Sequence, residues 1–139
     1  MLGGVRRALR PPGRFVAEFG GHGCVGAIAV AIIAALSRRG IAVETPWYFP
    51  TAEEYQARLE SHGFIVENAY LFPRPTPLPT GIRGWLATFA QPVLAQLPLG
   101  ERGAAEDEIE ALPRPVLCDG KGRWTADYVR LRIVARIEN

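Results

Sequence analysis

Two side chains that can take up a proton stand close together near the start of the chain. Glu18 interrupts the apolar run 15–19, and His22 follows it within the sequence Gly20-Gly21-His22-Gly23. A carboxylate near the end of a buried strand needs a partner or faces a cleft, and a histidine can act as a general base. Ordinary structural roles stay open for both, as an arginine partner or helix cap for Glu18 and as a solvated loop residue for His22.

Neither glycine spacing nor ligand spacing identifies a bound group. The sequence GGHG lacks the G-x-G-x-x-G spacing of a dinucleotide-binding loop. The two histidines, His22 and His62, and the two cysteines, Cys24 and Cys118, are too scattered for a metal site, so none is expected. A disulfide between the cysteines is one possibility, and two small buried thiols is the favoured one.

Aromatic residues are prominent in two further segments of the chain. Trp47-Tyr48-Phe49 lies between two prolines and forms either a core plug or part of a pocket wall. Trp85 lies on the apolar face of a helix that Thr80 is expected to cap, together with Ile82, Leu86 and Phe89.

Hydrophobic periodicity and turn residues predict alternating helices and strands. Thr51 and Glu54 have the spacing of a capping box, and Glu54 and Arg58 have the spacing of an i,i+4 ion pair. The alternating prolines at 73–79 predict an extended linker without ladder hydrogen bonds. Alternation at 124–137 indicates an antiparallel strand. The predicted elements are helices 2–9, 25–39, 51–63, 80–97 (broken at Pro92) and 101–112, and strands 14–19, 64–72 and 124–137.

Charge and length exclude several classes of function. The net charge is +2 and the basic residues are scattered, which argues against a nucleic-acid partner. The apolar run Cys24–Leu36 has thirteen residues, and a helix of that length reaches about 20 Å, short of the roughly 30 Å membrane core. With no signal-peptide pattern at the start, we expect no membrane partner and a cytoplasmic protein.

Four segments together resemble one enzyme family. They are 8–21 (ALRPPGRFVAEFGG), 47–55 (WYFPTAEEY), Gly63-Phe64 and 124–132 (WTADYVRLR). In order and spacing they look like the C-terminal half of class I S-adenosylmethionine-dependent methyltransferases, in the small-molecule group near trans-aconitate methyltransferase. Pro12 stands where the family usually has the first glycine of a Pro-Gly-Gly turn before its fifth strand.

The resemblance implies an α/β fold, built as the C-terminal half of a Rossmann-like sheet. Segments 14–19, 124–137 and 64–72 would be its fifth, seventh and sixth strands, with the seventh antiparallel and inserted between the others. Residues 1–139 would form a single partial methyltransferase domain, and residues 80–115 a helical cap inserted in it.

The resemblance further implies an S-adenosylmethionine-dependent methyltransferase acting on a small-molecule methyl acceptor. Glu18, His22, Tyr48 and Trp85 are the candidates for the substrate side. No cofactor-binding residue carries over, because the family's glycine-rich loop and ribose-binding acidic residue belong to an N-terminal half that this sequence lacks.

The alternative is a non-catalytic, truncated or split-enzyme fragment that needs a separate N-terminal half. The exposed edge of the fifth strand would then favour self-association, and the chain alone would not bind S-adenosylmethionine. The sequence leaves open whether the chain alone is an enzyme.

Overall fold

A three-stranded sheet is the centre of the first of two structural units. The computed structural model describes residues 1–138, so the last residue of the expected domain 1–139 lies outside the described residues. The first unit contains Met1–Cys24, Tyr48–Arg74 and residues 129–138, and the second contains Val25–Trp47 and Pro75–Tyr128. In chain order the elements are α1 (Leu2–Ala8), β1 (Gly13–Gly20), α2 (Gly26–Ser37), α3 (Ala52–Glu60), β2 (Ile65–Pro73), β3 (Thr76–Leu78), α4 (Gly81–Phe89), α5 (Gln91–Leu94), α6 (Leu99–Ala111), α7 (Arg114–Leu117), β4 (Trp124–Ala126) and β5 (Val129–Ile137).

Strand β5 lies in the middle of the sheet and runs antiparallel to both neighbours, in the order β1-β5-β2. Glu18 of β1 stands opposite Arg132 of β5, and Arg132 stands opposite Tyr70 of β2. The α/β class and the inserted antiparallel strand agree with the expectation. The identity of these strands as the fifth, seventh and sixth of a larger sheet stays a prediction.

One face of the sheet packs against helices of the same unit. Alternate residues of β5 are fully buried there, as period-two patterning requires. They form one hydrophobic cluster with Tyr55 and Leu59 of α3, with Phe64 and with Leu2 of α1. The buried residues of β5 in this cluster are Leu131, Ile133, Ala135 and Ile137.

Helix α3 begins and ends where its sequence signals predict. Thr51 Oγ1 accepts from the Glu54 backbone N–H at 3.2 Å, and the Glu54 carboxylate accepts from the Thr51 N–H at 2.9 Å, which completes the capping box. Gly63 follows the helix at φ +81°, and Phe64 N–H closes the end on the carbonyl of Leu59. The expected Glu54–Arg58 ion pair is absent from the described residues, because the carboxylate is bound to the backbone.

The prediction of one continuous last strand was wrong. Trp124–Ala126 forms β4 and pairs with β3 in a separate two-stranded sheet of the second unit. The strand is interrupted at Asp127, whose carbonyl accepts from Val25 N–H and whose carboxylate accepts from Ala27 N–H, each at 3.0 Å. Asp127 therefore caps the start of α2 and turns the chain out of the strand.

The linker 73–79 also differs from its prediction, since part of it does form a ladder. Strand β2 extends through Pro73, and Thr76–Leu78 form β3. Pro77 lies opposite Thr125, between two ladder residues that keep their own N–H groups. A proline is tolerated in such a short edge strand because its neighbours supply the donors.

Helices build most of the second unit, which includes the segment 80–115 that was expected as a helical insertion. Ile28, Ile32 and Leu36 of α2 are fully buried. Glu108 of the acidic helix α6 pairs with both Arg38 and Arg39. The predicted apolar face of α4 is confirmed for Ile82, Trp85 and Leu86 but not for Phe89, which is 48% exposed, and Thr80 precedes the helix without a side-chain cap.

Helix α2 spans only Gly26–Ser37. Among residues 1–138, none of the helices combines the length and apolarity needed to cross a bilayer. Val25, directly before α2, has φ +48°, a left-handed conformation that is rare and strained for a β-branched residue. Its N–H bond to Asp127 and its nearly complete burial hold it in place.

Because Leu59 connects α3 to the sheet, we expect Leu59→Ala to lower the free energy of unfolding by about 2–5 kcal/mol. Leu59 is fully buried, whereas Leu112 is 43% exposed. Urea unfolding measures how much free energy of unfolding is lost in Leu59→Ala and in the control Leu112→Ala, which should lose less. Equal losses would contradict the packing described for α3.

Candidate functional site

A pocket of about 330 Å³ opens in the first unit, beside the carboxyl end of β1. In open α/β sheets, ligands commonly bind outside the carboxyl ends of strands. Phe19, the last residue but one of β1, forms part of its wall. The other lining residues come from α1, α3 and the segments next to them: Met1, Leu2, Tyr48, Tyr55, Arg58 and His62.

Aromatic rings form two sides of this pocket. Phe19 and Tyr55 meet edge to face, with ring centroids 4.8 Å apart. Tyr48 is 56% exposed, and the guanidinium carbon of Arg58 lies 5.5 Å from its ring centroid. This distance is within the range of a cation–π contact, so Arg58 is placed beside the aromatic wall.

Tyr55 supplies a hydroxyl group at the buried side of the pocket. The residue is 3% exposed, and within residues 1–138 its hydroxyl makes no hydrogen bond. Burial raises the pKa of Tyr55 above its usual value, the nearby Tyr48 raises it further, and Arg58 acts in the opposite direction. The phenol is therefore protonated at neutral pH and available as a hydrogen-bond donor.

The end of α3 holds Arg58 and His62 on the same side of the helix. His62 Nδ1 lies 2.8 Å from the backbone carbonyl of Arg58, so this nitrogen donates its proton to the helix end. The other ring nitrogen is then the acceptor of the neutral imidazole. This hydrogen bond satisfies a carbonyl at the C-terminal end of the helix, and the pocket gives His62 a second environment.

Glu18 is not an isolated carboxylate. Its Oε1 lies 2.7 Å from an Arg74 nitrogen and 3.4 Å from Arg130 Nε, and the backbone carbonyl of Glu18 accepts a further bond from Arg130 at 3.2 Å. The ordinary structural role, a glutamate paired with arginine, is therefore present. These three charged side chains link β1, β5 and the end of β2.

Packing explains the glycine-rich corner after β1. A Cβ on Gly20 would lie 2.5 Å from the ring of Phe49, and one on Gly21 would lie 3.0 Å from Leu131 Cβ. Both glycines thus permit close approach of the chain's own side chains. Phe49 and Leu131 take up the space next to these glycines, so this corner is not open for the ribose of S-adenosylmethionine.

His22 lies in the turn of this corner. Its side chain is exposed, and its backbone N–H bonds to the carbonyl of Pro50 at 2.9 Å. Glu18, His22 and Tyr48 all belong to the first unit, and of the four sequence candidates only Tyr48 is among the lining residues of the pocket.

Trp85 belongs to the second unit and is a core residue there. It is 6% exposed, and its indole N–H donates to the Tyr128 hydroxyl at 3.0 Å. Its ring meets Trp47 at 5.4 Å and Phe89 at 5.3 Å. Both interpretations of the aromatic loop therefore apply, because Trp47 packs in a core whereas Tyr48 lines a pocket.

Sequence reasoning did not assign Phe19, Tyr55 or Arg58 to a site. It assigned Arg58 only to an ion pair with Glu54. A usable signal was present, because positions 55, 58 and 62 share one side of a helix with i, i+3 and i+7 spacing. The sequence does not show that the end of β1 lies opposite this side of α3.

Other reactive groups stay apart. Within residues 1–138 neither cysteine forms a disulfide; Cys24 is buried and Cys118 only half-buried, so the prediction of buried thiols is right for the first and wrong for the second. Across the described part of the chain, no group of three or more histidine, cysteine or acidic side chains is arranged to hold a metal ion.

Comparison with known proteins relates the chain to a methyltransferase. It is homologous to an uncharacterized methyltransferase of Schizosaccharomyces pombe, with 37% identity over an alignment of 143 positions that covers 99% of this chain and 55% of the yeast protein. The chain thus spans about half the length of that relative. No family model matches it.

A solved structure has a similar fold. It is the crystal structure of a candidate methyltransferase from Bacillus halodurans C-125, with a TM-score of 0.55 and 12% identity, covering 99% of this chain and 62% of that one. At this identity the likeness concerns the fold alone. It agrees with an α/β architecture that carries an antiparallel strand within its sheet.

The raised pKa of Tyr55 predicts a specific loss of stability in alkali. The folded state favours the protonated phenol, so this contribution is complete below the ordinary tyrosine pKa of 10.0 and is lost as the pH rises through the higher pKa of the folded state. Urea unfolding between pH 8 and 11 should show that the stability difference between wild type and Tyr55→Phe shrinks above about pH 10. A difference that stays constant across this pH range would count against the assignment.

Proposed function

We propose that the chain is part of an S-adenosylmethionine-dependent methyltransferase that acts on a small molecule. The observation that carries this proposal is the homology to a methyltransferase along 99% of the chain at 37% identity. The fold similarity and the pocket beside the carboxyl end of β1 support it. The finer resemblance to the trans-aconitate methyltransferase group belongs to the same proposal.

In this proposal the chain supplies the acceptor side of the reaction. S-adenosylmethionine, when bound, supplies an activated methyl group, and transfer depends mainly on the alignment of the acceptor atom. Tyr48 would position the acceptor from the pocket wall. His22 would serve as a base if the acceptor needs deprotonation, and its exposed ring allows that role.

Glu18 and Trp85 would act less directly. The Glu18 carboxylate is already paired with Arg74 and Arg130, so its contribution would be to hold those arginines beside the strand end. Trp85 would support its own unit through the bond to Tyr128. The indole N–H of Trp85 is already used by Tyr128, so Trp85 offers no polar group to an acceptor.

The cofactor side would come from another segment. The glycine-rich corner is filled by Phe49 and Leu131, and the chain covers 55% of its yeast relative. We therefore keep the split-enzyme alternative, in which this chain alone is not catalytic. A segment equivalent to the remainder of the yeast protein would complete the site.

The first test measures cofactor binding and turnover. Calorimetric titration of S-adenosylmethionine into the purified chain should show no stoichiometric site. Addition of the part of the yeast relative outside the matched region should create a site, together with release of S-adenosylhomocysteine when a low-molecular-mass cell extract is supplied. Micromolar binding by the chain alone would overturn the split-enzyme alternative, and no turnover by either sample would overturn the methyltransferase proposal.

The open edge of β1 gives a second test. Within residues 1–138, β1 pairs on one side only, with β5, and such an edge favours association between chains. Val16 of β1 is 51% exposed, and Val30 of α2 is 67% exposed. Sedimentation should show self-association that Val16→Lys weakens and the control Val30→Lys leaves unchanged. A monomeric wild type, or equal effects of both variants, would contradict a role for this edge.

A further inference from the structure

We propose that the pocket formed by Phe19, Tyr48, Tyr55, Arg58 and His62 binds a small aromatic molecule that carries a carboxylate, with the carboxylate held by Arg58 and the Tyr55 hydroxyl. Binding of such an aromatic acid follows from the pocket alone. Its further role as the methyl acceptor rests on the function proposed above.

The charge of the pocket favours an anion. Arg58 lines it, and none of its lining residues is acidic. The nearest acidic side chain along the same helix face, Glu54, is bound to the backbone N–H of Thr51. In the described residues Arg58 forms no ion pair, and its guanidinium contacts the ring of Tyr48. That contact leaves N–H donors of Arg58 for a carboxylate.

The second observation is the Tyr55 hydroxyl. Among residues 1–138 no protein group is hydrogen-bonded to this hydroxyl, and its oxygen is open to the pocket rather than sealed in the core. Tyr55 lines the pocket, so a ligand there can take the missing acceptor role. A carboxylate has two oxygens, which allows one ligand group to engage both Tyr55 and Arg58.

The remaining walls of the pocket favour a ligand with a flat apolar ring next to the charge of Arg58. Phe19, Tyr48 and Leu2 contribute apolar surface, and aromatic rings pack well against other rings in edge or offset geometry. The volume of about 330 Å³ lies at the small end of the range for small-molecule sites. A single-ring acid fits these limits better than a nucleotide does.

The experiment compares acids with their neutral amides. Calorimetry with benzoate and phenylacetate should give binding in the millimolar range or tighter, and benzamide and phenylacetamide should bind about tenfold more weakly or not at all. Inorganic phosphate and acetate test whether charge alone suffices, and both should bind more weakly than benzoate. No cofactor is added, so the result does not depend on methyl transfer.

Three variants locate the contacts. Arg58→Gln and Tyr55→Phe should each weaken benzoate binding about tenfold while changing benzamide binding little. Arg132→Gln, an equal charge change at an exposed residue of β5, should leave benzoate binding unchanged. Tyr55→Phe keeps the ring that packs on Phe19, so its fold should persist, as circular dichroism would check.

Several outcomes would overturn the proposal. They are no binding of either acid, equal binding of acids and amides, phosphate binding as tight as benzoate, or an Arg58→Gln variant that binds benzoate like wild type. If acids bind as expected but the completed enzyme releases no S-adenosylhomocysteine, the pocket proposal stands and the proposed function fails.

Discussion

The central position of β5 is the constraint on which the first unit depends. Strands β1 and β2 are both hydrogen-bonded to β5, so their relative register is set through it. Its alternate residues from Leu131 to Ile137 are buried against α1 and α3. A shift of one residue would turn this apolar set to the opposite face, which is why the register is strongly specified. The end of β1, and with it Phe19, is thereby fixed beside α3.

Helix α3 carries most of the pocket's chemistry because both of its ends are defined. The capping box at Thr51 and the glycine end at Gly63 determine where the helix begins and ends. Burial of Leu59 determines which side faces the sheet. Once those are set, the positions of Tyr55 and Arg58 follow from helix geometry, and His62 lies in the turn directly after the helix.

The glycine-rich corner shows how one motif can have different physical causes. Glycines after a strand are compatible with a ligand that approaches the backbone closely. At Gly20 and Gly21 the approaching groups are Phe49 and Leu131. The same absence of a Cβ serves internal packing, and only the positions of side chains distant in sequence distinguish the two cases.

The sequence by itself determined the local elements: helix α3 with its caps, the buried alternation of β5, a helix break close to Pro92 (at Ala90, with Pro92 in the first turn of α5) and the α/β class. These depend on near neighbours and on periodicity, which the chain order displays directly. Tertiary structure alone decided that Asp127 caps α2 and divides the last strand, that Pro77 lies in a ladder, and that Glu18 meets Arg74 and Arg130. It also decided that Tyr55 and Arg58 line a pocket with Phe19. The reason is physical: each of these contacts joins residues far apart in sequence, and their approach is set by sheet register and core packing rather than by any local preference.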